Sequence, residues 1–178
     1  MNDIRFPNRI YLIGMPASGK TSLGKAVASL LNYSFFDLDN IIEEQEGISV
    51  QQIFAQKGEE YFRWKEREVL HATLPNRAII ACGGGTPCFF DNMAFIKQNG
   101  ISFFLDETVE NLLENLKEQQ GKRPLLNGLS TEELKQTLRT KLQQRLPYYL
   151  MADYRLTSDE IEPERFRQKL VSLSGAFS

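Results

Sequence analysis

The chain has 178 residues, 42% of them hydrophobic and 25% charged, which suits one soluble domain with a sizeable core and does not require two. A formal net charge of −2 without a basic block argues against nucleic acid as a main partner. No apolar stretch reaches membrane-span length. Two cysteines are too few for a disulfide scaffold or a four-cysteine metal site, and the polar Met1-Asn2-Asp3 start does not read as a signal peptide, so a reduced cytoplasmic setting is expected.

The first predicted element is the apolar run Ile10-Tyr11-Leu12-Ile13, a buried strand. It leads into Gly14-Met15-Pro16-Ala17-Ser18-Gly19-Lys20-Thr21, which matches G-x-x-x-x-G-K-[ST]. Leu23, Ala26, Val27, Leu30 and Leu31 then fall at helical spacing. The glycines allow backbone angles closed to other residues, and successive N–H groups form a nest for anionic oxygens at the positive end of the helix. Lys20 would reach the β- and γ-phosphates and the Thr21 hydroxyl would ligate Mg²⁺. Strand, glycine loop and helix in this order imply binding of a nucleoside triphosphate.

Ser34 to Asp39 reads as a strand ending in two acids, and Asn40 to Glu46 as a helix stopped by Gly47. Asp37 and Asp39 would project to the same side of an extended segment, one near a metal and one near a substrate hydroxyl; equally, Asp39 could cap the following helix. Ser49 is expected to cap a helix ending at Gly58, and a second amphipathic helix covers about Glu59 to Ala72. That helix carries Arg63 and Glu66 at i,i+3, which alone would read as a surface ion pair. His71, the only histidine, is read as structural. Ala78 to Cys82 is an apolar strand running into Gly83-Gly84-Gly85, where a close backbone approach to a ligand is expected.

Asp91 is expected to cap a helix over Met93 to Gln98, and Ile101 to Leu105 forms the next strand. Thr108 opens a helix with Val109, Leu112, Leu113 and Leu116. Residues 118–129 turn polar and suit a mobile lid containing Arg123-Pro124-Leu125-Leu126. A helix from Thr131 to about Gln144 precedes Arg145, and Pro147-Tyr148-Tyr149 is expected to turn the chain. Tyr154 to Thr157 is a fifth strand, with Pro163 near the start of a last helix. Apolar strands alternating with helices indicate a parallel sheet covered on both faces, with ligands outside the strands' carboxyl ends. The glycine loop, the acid pair and the triple glycine all fall there.

In order along the chain stand the phosphate loop, Asp37-x-Asp39, Phe-Arg-x-x-Glu at 62–66, the triple glycine, Arg-Pro-Leu-Leu at 123–126 and Arg145 before a tyrosine-rich turn. This ordered set resembles the shikimate kinase family, from Ile10 to about Leu173. The resemblance implies an α/β P-loop fold of the nucleoside-monophosphate-kinase-like type, a five-stranded parallel sheet of order 2-3-1-4-5 with helices on both faces. It also implies a single domain over 1–178: a core of 1–39, 73–117 and 130–178, a substrate-binding subdomain at about 40–72 and a lid at about 118–129.

The implied activity is ATP-dependent phosphorylation of the 3-hydroxyl of shikimate, in a cytoplasmic monomer without nucleic-acid or membrane partners. Gly14, Pro16, Ala17, Ser18, Gly19, Lys20, Thr21 and Ser22 would hold ATP, with Arg123 closing over its phosphates. Thr21 and Asp37 would serve Mg²⁺, and Asp39, Arg63, Gly83, Gly84, Gly85 and Arg145 would bind shikimate, with Lys20, Asp39 and Arg123 as the catalytic groups. Two arginines suit its carboxylate, because a guanidinium pairs with a carboxylate by planar bidentate bonds. Many members carry an adenine-stacking arginine seven residues before the lid arginine; here that position is Leu116, beside Lys117, either of which could substitute. The turn after Arg145 is about one residue shorter than usual. Other readings are a kinase of another small hydroxy acid such as gluconate, or a non-catalytic sensor, which intact Lys20, Thr21 and Asp39 oppose. A GTPase lacks support because no Asn-Lys-x-Asp motif is present.

Overall fold

In the computed structural model, which describes residues 6–72, 75–119 and 130–177, every predicted strand forms. The strands are β1 (Arg9–Ile13), β2 (Ser34–Asp37), β3 (Ala78–Ala81), β4 (Ile101–Asp106) and β5 (Tyr154–Thr157). They make one sheet of order β2-β3-β1-β4-β5, with every neighbouring pair parallel. Parallel pairing needs a crossover between consecutive strands, and the helices supply it. These are α1 (Lys20–Leu31), α2 (Leu38–Glu46), α3 (Val50–His71), α4 (Asn92–Asn99), α5 (Val109–Gln119), α6 (Thr131–Tyr149) and α7 (Pro163–Ser172).

The period-two alternation of strand side chains sorts the core into two layers. Ile10 and Leu12 of β1, with Ile79, Phe103, Leu105 and Leu156, pack on Leu23, Val27 and Leu31 of α1 and on Phe166 and Leu170 of α7. Tyr11 and Ile13, with Ile80 and Phe104, face the opposite layer, built from α2 to α6. Central strands buried on both faces account for the unbroken apolar runs in the sequence. Leu116 is buried in that second layer at 7% exposure, alongside Leu112, Leu113, Leu134 and Leu138. It is a packing residue, and its side chain does not present a surface for a base to stack on.

Three local readings are corrected by the structure. Asp37, not Asp39, caps α2, and Asp39 already lies in its first turn. The two acids therefore do not share one face of a strand. Asp91 occupies the N-cap position of α4 but makes no capping bond; its carboxylate instead accepts from Arg67 Nε at 2.9 Å. Glu118 and Gln119 lie in the last turn of α5. Finally, α6 continues through Pro147 to Tyr149, so Arg145 stands on a helix instead of in the connection after it. Proline has no N–H to give the carbonyl one turn earlier, but several helical turns already precede it, and Tyr149 is fully buried in the core.

The helix pair separated by Gly58 is as expected: within α3 that residue adopts φ 83°, and Ser49 forms a capping box with Gln52. His71 stacks on Phe95 with ring centroids 3.9 Å apart, a packing role. Cys82 and Cys88 are both free thiols. Arg123 and residues 120–129 of the expected lid lie outside the described residues.

Candidate active site

The carboxyl end of β1 passes directly into the glycine loop, whose turn is set by three left-handed or positive-φ residues: Gly14 (144°), Ala17 (65°) and Gly19 (90°). A Cβ on Gly14 would sit 2.8 Å from the Leu105 carbonyl of β4, so only glycine lets the loop leave the sheet there. Ala17 holds its conformation without that freedom, and its carbonyl accepts from Asn115 Nδ2 of α5 at 2.9 Å. Lys20 is buried and folds back across the loop, its ammonium donating to the carbonyls of Gly14 at 2.9 Å and Met15 at 2.7 Å. Burial pushes its pKa down to about 8, against the opposing charges of Asp39 and Asp37.

β2 brings the acids to the same rim. Oδ1 of Asp37 accepts from the backbone N–H of Asp39 at 3.1 Å, while Oδ2 accepts from the Thr21 hydroxyl at 2.6 Å. A helix cap thus doubles as the partner of the loop's hydroxyl. Thr21 is exposed and Asp37 half-buried, so two hard oxygen donors meet at an accessible edge. That donor chemistry fits Mg²⁺, which uses one or two protein oxygens and fills its other positions with phosphate and water.

The glycines after β3 are spaced by their neighbours. A Cβ on Gly83 would lie 2.5 Å from Glu66 Oε1 and 2.9 Å from Asp39 Oδ1. On Gly84 it would meet Pro16 Cδ at 2.7 Å and Arg145 Nη1 at 2.9 Å, and on Gly85 the Arg63 guanidinium at 2.6 Å. The three residues therefore form a bare backbone seam between the phosphate loop and the acid–arginine group. We expect Gly85→Ala to displace Arg63 and raise the Michaelis constant of whatever acid the arginines hold by about tenfold, with a stability loss of about 1–3 kcal/mol. Initial rates and a denaturant titration check it; an unchanged constant would separate Arg63 from the site.

Arg63 is only 7% exposed, which rules out the surface ion pair that its sequence context alone suggested. Its guanidinium lies over the Phe89 ring at 4.2 Å and donates to Glu66 Oε2 at 2.9 Å and Glu59 Oε1 at 3.0 Å. Glu66 is fully buried; burial raises its pKa, opposed by Arg63 and by the Thr86 hydroxyl, which donates to it at 2.6 Å. Removing either member of such a buried pair strands a charge and costs about 3–5 kcal/mol. Arg145, from the last turns of α6, completes the group. Its Nη1 is buried without a hydrogen-bond partner among the described residues, a donor oriented toward the seam and available to an anion.

Lys20, Thr21, Asp37, Asp39, Arg63, Gly83, Gly84, Gly85 and Arg145 are brought together, while Arg123 lies outside the described residues. Pro16 borders the seam, Ser18 is buried, and the Ser22 hydroxyl donates to the Gly19 carbonyl at 3.1 Å. Four supporting residues went unassigned in the sequence, and Glu66 was read only as the surface partner of Arg63. Glu59 stands one turn before Arg63, and Tyr149 one turn beyond Arg145, spacings that a helix-face reading could have flagged. Thr86 and Asn115 reach the site only through tertiary contact and leave no local signal.

The shikimate kinase family model matches residues 16–173. A shikimate kinase of Phocaeicola vulgatus is 42% identical over 158 residues, covering 88% of this chain and 90% of that protein. The crystal structure of shikimate kinase from Bacteroides thetaiotaomicron superposes with a TM-score of 0.86 at 36% identity, covering 96% of this chain and 98% of that one. A shikimate kinase from Acinetobacter baumannii in complex with shikimate gives 0.82 at 34%, covering 97% and 95%. A gluconokinase from Sinorhizobium meliloti, at 19% identity and 0.55, shares the fold alone.

Proposed function

The chain belongs to the shikimate kinase family, and from that premise we propose that it transfers the γ-phosphoryl group of ATP to the 3-hydroxyl of shikimate. The observation that carries this reading is the Gly83–Gly85 seam, with Pro16 of the phosphate loop against it together with Asp39, Arg63 and Arg145. A phosphate donor and a carboxylate-bearing acceptor would be held within one cleft, and the A. baumannii relative is described with shikimate bound.

In this reading the loop N–H groups and the α1 N-terminus hold the phosphate chain, and Lys20 exchanges its bonds to the Gly14 and Met15 carbonyls for phosphate oxygens. Thr21 and Asp37 would hold Mg²⁺, which neutralises phosphate charge when bound. Arg63 and Arg145 take the carboxylate of shikimate, fixing the ring so that one hydroxyl faces the γ-phosphorus. Asp39 accepts a hydrogen bond from that hydroxyl and orients it. As the oxygen–phosphorus bond forms and the bond to ADP breaks, the hydroxyl proton passes to Asp39 and then to water. Little covalent work is needed, because positioning and charge stabilisation carry phosphoryl transfer. Arg123 is assigned to the nucleotide phosphates, and the segment over 40–72, which carries Arg63, to substrate binding. The protein is further read as a cytoplasmic monomer on the family resemblance, and sedimentation velocity tests the second part. Among the described residues no helix is long and apolar enough to cross a membrane.

The deciding experiment couples ADP release to Mg-ATP with shikimate, with gluconate and with no acceptor. Turnover on shikimate alone is expected. Turnover on gluconate would keep the phosphate-loop chemistry and overturn the acceptor assignment; binding of shikimate without turnover would make the protein a sensor.

A pH profile gives a second test. In the free protein Lys20 keeps its proton below about 8, against an ordinary 10.5, so kcat/KM for ATP is expected to fall as pH rises through about 8. Stability has the opposite sign: between about 8 and 10.5 the unfolded chain binds the extra proton, so this group makes the nucleotide-free protein more stable as pH rises. A kcat/KM profile flat to about pH 10 would remove Lys20 charge from phosphate binding.

A further inference from the structure

Tyr149 has no role in the proposed reaction, yet it is fully buried at the junction of three parts of the site. Its hydroxyl donates to the Gly84 carbonyl at 2.6 Å and lies 3.7 Å from the Met15 sulfur of the phosphate loop. Its ring packs on Phe104 of β4, with centroids 5.1 Å apart. Burial pushes the phenol well above its ordinary pKa, so the hydroxyl stays a donor at any physiological pH.

The position on α6 gives this contact its consequence. Arg145 precedes Tyr149 by one helical turn, and Pro147 lies between them, so the Gln143 carbonyl lacks its helical N–H donor. The turn that carries the arginine therefore has one helical hydrogen bond fewer than the turns before it. The Tyr149 hydroxyl ties it from outside to Gly84, the same residue that Arg145 Nη1 approaches.

We propose that Tyr149 is a positioning residue: its bond to the Gly84 carbonyl locks the end of α6 to the glycine seam and so fixes the Arg145 guanidinium where the acceptor's carboxylate binds. This rests on the assignment of Arg145 to the acceptor under the proposed function. Tyr149 touches neither substrate in this scheme and acts through Arg145 and Gly84.

The test is a double-mutant cycle of Tyr149→Phe, Arg145→Lys and the pair, with KM for shikimate, KM for ATP, kcat and thermal midpoint measured for each. Tyr149→Phe keeps the ring on Phe104 and removes one buried hydrogen bond. The expected result is a rise of about tenfold in KM for shikimate with KM for ATP within about twofold. In the double variant the two effects on KM should combine to less than their product, because the shorter ammonium side chain of Arg145→Lys already makes a poorer contact and has less to lose on displacement. Four outcomes would overturn the proposal: a lowered midpoint with unchanged KM for shikimate, an equal rise in both KM values, a strictly multiplicative cycle, or a Tyr149→Phe protein that does not fold, which would make the residue structural. An unchanged KM for shikimate in Arg145→Lys alone would instead overturn the acceptor assignment, and the two failures are thereby told apart.

Discussion

Replacing Lys20 with alanine is expected to lower kcat by about a thousandfold or more while leaving the fold intact. The ammonium stands inside the loop, bonded to the Gly14 and Met15 carbonyls, and would be the charge nearest the transferring group once phosphate displaces those bonds. Loss of one preorganised donor from a water-excluded site costs about two to three orders of magnitude, and a full charge on a phosphoryl group costs at the upper end or beyond. Stability should change little or rise. The native state no longer carries a buried cation whose desolvation has already driven its pKa to about 8, and that relief offsets the loss of its bonds to the Gly14 and Met15 carbonyls. Steady-state ADP release and a thermal melt decide the matter. Turnover within about tenfold of the unmodified protein would remove Lys20 from the mechanism, and a collapsed melt would make the lysine part of the scaffold.

The sheet was legible because burial on both faces leaves an unmistakable signature: four- to six-residue apolar runs at β1, β3 and β4, each followed by glycine or acid at its carboxyl end. Its strand order was not readable from those runs and came from family resemblance; register and order depend on which helix packs on which face. The break at Gly58 was visible because a glycine stands between two helical patterns. The continuation of α6 through Pro147 was not, because proline and a tyrosine pair read locally as a turn, whereas burial of Tyr149 outweighs the missing hydrogen bond. The site followed the same division. The phosphate loop announced itself by spacing, but Arg63 looked like a solvated helix arginine until folding enclosed it with Glu66, Glu59 and Phe89. Of Asp37 and Asp39, Asp39 read as the candidate cap, since an extended and a helical continuation of the same residues compete and only the observed cap at Asp37 separates them.

Arg145→Ala is expected to raise KM for shikimate by about a hundredfold, with KM for ATP and the fold little affected. The asymmetry between the two arginines makes this the sharper test of the acceptor site. Arg63 is committed to Glu59 and Glu66, so its removal would strand a buried carboxylate and confound binding with stability. Arg145 forms no ion pair among the described residues and its Nη1 is buried without a hydrogen-bond partner there, so an alanine removes that donor without breaking a buried ion pair. A carboxylate bound at that nitrogen gains a charge-assisted bond in a partly dehydrated cleft, and the lost bond plus the ligand's uncompensated charge gives a penalty of about 2–4 kcal/mol. If the bond forms equally in the ground and transition states, the loss falls on KM and spares kcat; a comparable fall in kcat would mean that Arg145 also aligns the attacking hydroxyl. An unchanged KM for shikimate would place the carboxylate away from the seam and leave that buried donor without a function.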